Sequence, residues 1–236
     1  MTPRLHHDEE SFPAAPPSDL HDPAAILTRD WDAYRDLDTM KDHWDRARWH
    51  PEYRAYYWML TFPEAPDLLK LARHCQDALA PLGMDNIPED GLHITMTKIG
   101  ETDRVTPNQL ADLAATTLPT RFTLTAHPLI GSRGAARFTI TPWHHLADLH
   151  QTLTTANARA GVPGGRPTPS FRPHLGVAYN NRPRPAQDLL PYLLSLHALL
   201  PVRIAVRSVE LVELRREDAA YRWTVLHSLP LNDRLL

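Results

Sequence analysis

Only one cysteine, Cys75, occurs in 236 residues. An internal disulfide is therefore excluded, and so is a zinc centre built on several thiolates. Cys75 lies among apolar residues spaced for a helix and reads as a small buried side chain. No run of about 18 apolar residues exists, so no membrane-spanning helix is expected. Where a secretory signal would carry an apolar core, the chain has His6-His7-Asp8-Glu9-Glu10, so cytoplasmic residence is the expectation. An excess of basic charge is missing too. Net charge is −3 with histidines neutral, which argues against non-specific binding along a nucleic-acid backbone but leaves room for a nucleotide or an RNA end. No Gly-x-Ser-x-Gly or Ser-His-Asp pattern stands out, and Gly131 to Gly134 lacks the spacing of a phosphate loop. What remains, 42% apolar and 22% charged residues, is the balance of a soluble globular protein long enough for one large domain or two lobes.

Residues 1–23 are rich in proline and acid and lack periodicity, which reads as a disordered tail. Residues 24–50 carry Leu27, Trp31, Tyr34, Leu37, Met40 and Trp44 at helical spacing, which predicts an N-terminal amphipathic helix. Residues 51–230 then alternate between short apolar runs and helical patterns. Strands are expected at 53–61, 91–97, 121–126, 135–141, 174–179, 202–214 and 221–229, with helices at 66–80, 106–118, 142–160 and 186–199. The strand at 202–214 has one phase slip, read as a bulge. This order implies an α+β fold. Two pseudo-symmetric lobes, each a small, mostly antiparallel sheet with outer helices, would flank a central cleft.

Two stretches share one pattern, a histidine entering an apolar strand. They are Gly91-Leu92-His93-Ile94-Thr95-Met96-Thr97 and Phe171-Arg172-Pro173-His174-Leu175-Gly176-Val177-Ala178-Tyr179. In a regular strand alternate residues share a face. His93, Thr95 and Thr97 would then lie together, as would His174 and Gly176, with Tyr179 on the opposite face from His174. Two imidazoles facing one another suit concerted acid–base chemistry, because histidine titrates near neutral pH and serves in either role.

The pair resembles the 2H phosphoesterases, the superfamily that includes 2′-5′ RNA ligase-like proteins and RNA 2′,3′-cyclic phosphodiesterases. Their mark is two His-x-Thr/Ser motifs, each on a strand, about one lobe apart. His93-Ile94-Thr95 matches in full; His174-Leu175-Gly176 matches at the histidine but lacks the hydroxyl. The resemblance spans residues 45–230. It implies a metal-independent phosphodiesterase, with no cofactor, acting on cyclic or 2′-5′ phosphodiesters such as 2′,3′-cyclic phosphate RNA ends or nucleotides. His93 and His174 would be catalytic and Thr95 would hold a phosphate oxygen. On the second side the Gly176 backbone, a bound water or Arg172 would have to do so.

Other residues stand beside these as candidates. Thr97, Tyr221 and Trp223 could line the cleft, the two aromatics by stacking on a base. His144 and His150 share no helical face well and have no carboxylate at a zinc-like offset, so no metal site is expected there. Because Gly176 replaces the second hydroxyl, a nucleotide or phosphate-ester binding module that is weakly active or inactive stands as the alternative. A protein-interaction role for the Trp-bearing N-terminal helix is a third reading.

Overall fold

The computed structural model describes residues 2–45, 50 and 52–233. Helix α1 spans Pro23–Arg35. Asp22 caps it by accepting from the backbone N–H groups of Ala24 and Ala25, and Pro23 occupies the first helical position, where no N–H is needed. The helix ends fifteen residues before the expected limit of 50. Asp36 and Asp38, both weak helix formers, flank Leu37, and the chain passes into β1 (Thr39–Met40). Met40 is buried from a strand, not from a helical stripe. The buried face of α1 is Ile26, Asp30 and Tyr34, while Leu27 and Trp31 stay partly exposed. Residues 46–49, part of the expected helix, lie outside the described residues.

Apart from two short strands that the apolar pattern did not show, Asp85–Asn86 and Arg184–Pro185, the next elements follow the expected order. They are β2 (Arg54–Thr61), α2 (Pro66–Leu79), β3 (Asp85–Asn86), β4 (His93–Glu101), α3 (Pro107–Ala114), β5 (Phe122–Gly131), β6 (Ala135–Thr141) and α4 (His144–Arg159). Beyond them lie β7 (Leu175–Tyr179), β8 (Arg184–Pro185), α5 (Leu190–Leu196), β9 (Val202–Val206), β10 (Ser208–Glu217) and β11 (Ala220–Pro230). Helix α2 buries Leu68, Leu71, Ala72, Cys75 and Leu79, the apolar spacing read from sequence. Burial pushes the Cys75 thiol up to about 12.

The fold is α+β, with two antiparallel sheets. One has the order β11-β10-β2-β4 and the other β3-β7-β6-β5-β9; β1 pairs separately with β8. The lobes are not consecutive halves of the chain, because β10 and β11 return to complete the sheet of β2 and β4. The phase slip expected within one strand at 202–214 is a change of sheet. Val202–Val206 pairs with β5, Arg207 makes the turn, and Ser208 onward pairs with β2 and β11. Helix α4 packs on β4, α2 on β7 and β9, and α1 on β5 and β6. No described helix is long and apolar enough to cross a membrane.

Residues 2–22 form no helix or strand, but they are not the disordered tail that their composition suggests: they lie against the body. Leu5 joins Ile26 and Trp143 in a small buried cluster, with Leu20 packed on it. The backbone N–H groups of Trp143 and His144 donate to Leu20 O. Proline removes backbone donors but leaves every carbonyl as an acceptor. The segment therefore builds no sheet of its own, and its carbonyls take donors from side chains of the body.

Candidate active site

β4 is an edge strand of its sheet, and only the two-residue β3 lies outside β7 in the other. The two strands are neighbours where the sheets meet. Each is fed by a single 3₁₀ turn, Glu89–Gly91 before His93 and Thr168–Ser170 before Phe171–His174. His93 Nδ1 lies 2.8 Å from Gly91 O, and His174 Nδ1 lies 3.1 Å from Arg172 O. In both cases the acceptor is the carbonyl two residues back. This bond places the proton of the neutral ring on Nδ1 and makes Nε2 the basic nitrogen. His93 is half-buried and His174 is exposed. Burial lowers the His93 pKa from its ordinary value, and the bond to Gly91 O opposes this to a smaller extent.

The register decides which neighbours share a face with each histidine. His93 pairs with Thr61 and Thr95 with Met59, so Thr95 stays on the His93 side and is half-buried. A bulge at Met96 then brings Thr97 opposite Trp58. That reverses the alternation and moves Thr97 to the other face. Its side chain is buried, and a Cβ added at Gly165 would sit 2.7 Å from its Oγ1. Thr97 therefore does not line the site, contrary to the strict alternation.

A second register shift affects β7. Gly176 pairs with Arg137 and Ala178 with Ala136, leaving Val177 as the extra residue. Tyr179 consequently lies on the same side as Gly176, and a Cβ built at Gly176 would stand 3.9 Å from Tyr179 Cε1. The expectation that Tyr179 lies on the face opposite Gly176 is thus overturned by a bulge that the apolar pattern Leu175-Gly176-Val177-Ala178 conceals.

Arg172 is not available to a phosphate. It is buried, and its guanidinium is used up on five backbone carbonyls. Nε donates to Pro13 O (2.9 Å), Nη1 to Phe171 O (2.9 Å) and Pro169 O (3.3 Å), and Nη2 to His6 O (2.6 Å) and Ala14 O (2.8 Å). Its role is to clamp the N-terminal segment onto the loop that carries His174. Burial lowers its pKa to about 10, so the clamp stays charged.

Tyr221 and Trp223 both reach His93, with ring centroids 6.4 and 5.3 Å from the imidazole. Two further rings, which the sequence reading missed, complete an aromatic cluster. His43 stacks on Tyr179 at 4.0 Å and its Nε2 lies 2.9 Å from the Tyr221 hydroxyl. Trp44 meets Tyr179 and Tyr221 edge-on at 5.0 and 5.3 Å and donates Nε1–H to Asp85 Oδ2 at 2.7 Å. The helical spacing of Met40 and Trp44 masked them; the run Asp36-Leu37-Asp38 was the one signal that the helix stops earlier.

The other histidines lie apart from this cluster. His150 is buried on α4, with Nδ1 2.9 Å from Thr168 Oγ1, and burial pulls its pKa down to about 4. It stays neutral and supports the 3₁₀ turn ahead of His174. Among the described residues no group of three His, Cys, Asp or Glu is placed to hold a metal ion. A cavity of about 480 Å³ between the β2–α2 turn and the β9–β10 crossing includes neither paired histidine.

The family model described as the 2′-5′ RNA ligase superfamily matches residues 65–218, which contain both histidine motifs. Three solved structures share the fold at low identity. A protein described as a phosphoesterase is 18% identical, with 77% of this chain and 100% of that one covered at a TM-score of 0.57. LigT of E. coli complexed with NADP+ is 19% identical, with 77% and 99% covered at 0.56. TT0787 of Thermus thermophilus is 17% identical, with 76% and 99% covered at 0.55. LigT has also been solved with 3′-AMP and with ATP. No curated protein matches the chain.

Proposed function

Because this chain belongs to the 2′-5′ RNA ligase superfamily, we propose that it is a metal-independent phosphodiesterase that opens cyclic or 2′-5′ phosphodiesters. The favoured substrate is a 2′,3′-cyclic phosphate on a nucleotide or RNA end in the cytoplasm. The observation that carries this reading is the matched pair of imidazoles. Each is tied at Nδ1 to the carbonyl two residues back, and each leads into one of two strands, β4 and β7, that touch one another.

The chemistry follows from that arrangement. Water attacks phosphorus in line with the leaving 2′ or 3′ oxygen. His93, favoured as neutral by its burial, takes the water proton on Nε2. His174, the exposed ring, serves in its protonated form and gives the Nε2 proton to the leaving oxygen. The product is a phosphomonoester with a free neighbouring hydroxyl, and the two rings have exchanged protonation states. Acid–base catalysis of this kind contributes roughly 10² to 10⁴ in rate. Thr95, on the His93 side, donates its hydroxyl to a non-bridging oxygen and stabilises charge developing there. With a 5′-hydroxyl of a second strand in place of water as the nucleophile, the same opening of the cyclic phosphate joins two ends, the His174 proton again going to the leaving oxygen.

Hydrolysis of 2′,3′-cyclic nucleotides and short cyclic-phosphate RNA, with EDTA present, tests this. The wild type should turn over, and His93→Ala and His174→Ala should each lose activity by the same order, roughly 10² to 10⁴. Loss of all wild-type activity in EDTA would exclude the metal-free mechanism. The second reading, a nucleotide-binding module, is favoured by Gly176 in place of a hydroxyl. Tight binding of the cyclic nucleotide without turnover would establish it instead.

A further inference from the structure

We infer that the cavity between the β2–α2 turn and the β9–β10 crossing holds the nucleotide that precedes the cyclic phosphate. The substrate is then an RNA end of at least two nucleotides, in preference to a mononucleotide. This rests on the phosphodiesterase reading above and narrows it.

The strand registers place the cavity beside the catalytic faces. Paired residues on neighbouring strands project to one face. Thr61, which lines the cavity, pairs with His93, so the two stand one strand spacing apart, about 5 Å. Ser228 pairs with Glu210, Glu210 with Met59, and Met59 with Thr95. Glu210 and Ser228 also line the cavity, and they share the face of His93 and Thr95. Glu210 is two strand spacings, about 10 Å, from Thr95. The other sheet contributes from its own inner face. Gly176 pairs with Arg137; Thr141, on the Arg137 face of β6, pairs with Thr125, and Thr125 with Arg203. Arg203 therefore stands on the Gly176 face and reaches the same cavity. These two faces meet through Tyr179 and Tyr221, whose rings are 5.5 Å apart, with Tyr221 6.4 Å from His93. The cavity extends the space between them towards the β9–β10 crossing.

Its size and chemistry fit a nucleotide. The volume is about 480 Å³, within the range of about 300–1,000 Å³ typical of small-molecule sites. Arg203 and Arg207 are exposed on the β9 wall, and neither side chain has an ion-pair or hydrogen-bond partner among the described residues. They hold the phosphate that joins the two nucleotides. Glu64 and Asp67, on the turn that forms the opposite wall, repel that phosphate and leave the arginines as its seat.

Glu210 reads the base. It is 8% exposed, and the hydroxyls of Ser208 and Ser228 both donate to its Oε1, at 3.0 and 2.9 Å. Oε2 has no hydrogen-bond partner among the described residues. An ionised carboxylate only accepts, so it selects a base edge that offers N–H groups. Cytosine, adenine and guanine carry an amino group and uracil does not. The preferred preceding base is one of those three.

The test compares kcat/KM, in EDTA, for a 2′,3′-cyclic mononucleotide and for dinucleotides that end in it, with cytosine or uracil as the preceding base. Wild type should favour the cytosine dinucleotide at least about tenfold over the mononucleotide, because binding of a remote part of the substrate lowers the barrier. It should favour cytosine over uracil by about tenfold. Arg203→Ala combined with Arg207→Ala, both at exposed positions, should bring the dinucleotide-to-mononucleotide ratio to within about threefold of one. Glu210→Gln, whose amide also donates, should abolish the preference for cytosine. Equal kcat/KM for all three substrates in wild type, with His93→Ala inactive, would overturn the inference and leave the phosphodiesterase reading standing. So would an arginine double variant that lowers mononucleotide and dinucleotide turnover in the same proportion. A cytosine preference that survives Glu210→Gln would overturn the assignment of Glu210. A wild type that turns over no cyclic phosphate would overturn both the inference and the reading beneath it.

Discussion

Replacing Arg172 by methionine should unfasten the N-terminal segment and leave both histidines in place. The side chain holds five backbone carbonyls, three of them (His6, Pro13, Ala14) in the segment and two (Pro169, Phe171) in the loop before His174. The three in the segment can find water once it lifts away. The two in the loop remain against the body, and leaving a buried acceptor unpaired costs about 1–3 kcal/mol. The expected loss is therefore about 2–6 kcal/mol, or roughly 5–20 °C in melting temperature for a chain of this size. Scanning calorimetry gives the first number. Limited proteolysis gives the second readout, since cleavage within residues 2–22 should become fast while the body resists. A phosphate-binding Arg172 makes the opposite forecast. If the variant melts within about 2 °C of wild type and its only defect is a raised KM for a cyclic nucleotide, the clamp argument fails.

Three further outcomes follow from other buried groups. Asp30 accepts from Arg137 Nη2 at 3.0 Å and from Thr139 Oγ1 at 2.7 Å, while Arg137 Nε and Nη1 have no hydrogen-bond partner among the described residues. Asp30→Ala should cost about 3–5 kcal/mol in denaturant titration, and Asp30→Leu combined with Arg137→Met should cost clearly less. His150 has a folded pKa of about 4 against an ordinary 6.5, so between those values the unfolded chain binds a proton that the folded one refuses. Its stabilisation is complete above pH 6.5 and is lost as pH falls towards 4, a span of about 3 kcal/mol that His150→Gln should remove from the pH–stability curve. Because burial lowers the His93 pKa, the acid limb of kcat/KM should have its midpoint below the ordinary histidine value of about 6.5. A midpoint above that value would contradict His93 as the base.

Periodicity carried the elements that bury one face. The α2 stripe Leu68, Leu71, Ala72, Cys75 and Leu79 was legible because helix and strand periods are local properties of the backbone. His93 and His174 stood out because a histidine entering an apolar strand is uncommon chemistry in a common context. The assignments of Thr97 and Tyr179 failed together and for one reason. Each lies beyond a bulge, and an extra residue in one strand reverses every face after it without changing composition. Arg172 was misread because a buried guanidinium and a phosphate-binding one look alike in sequence. The difference lies in five carbonyls, three of them from a segment more than 150 residues away.

The amino-acid sequence by itself determined the α+β order of elements, the two histidine motifs and the missing hydroxyl at Gly176. These depend on contacts within a few residues or on side-chain identity. Tertiary structure alone decided that the sheets take strands from both ends of the chain, that residues 2–45 are fastened over the body, and that His43 meets Tyr221. Those outcomes turn on which distant donors find which acceptors when water is excluded, and no local pattern encodes that choice.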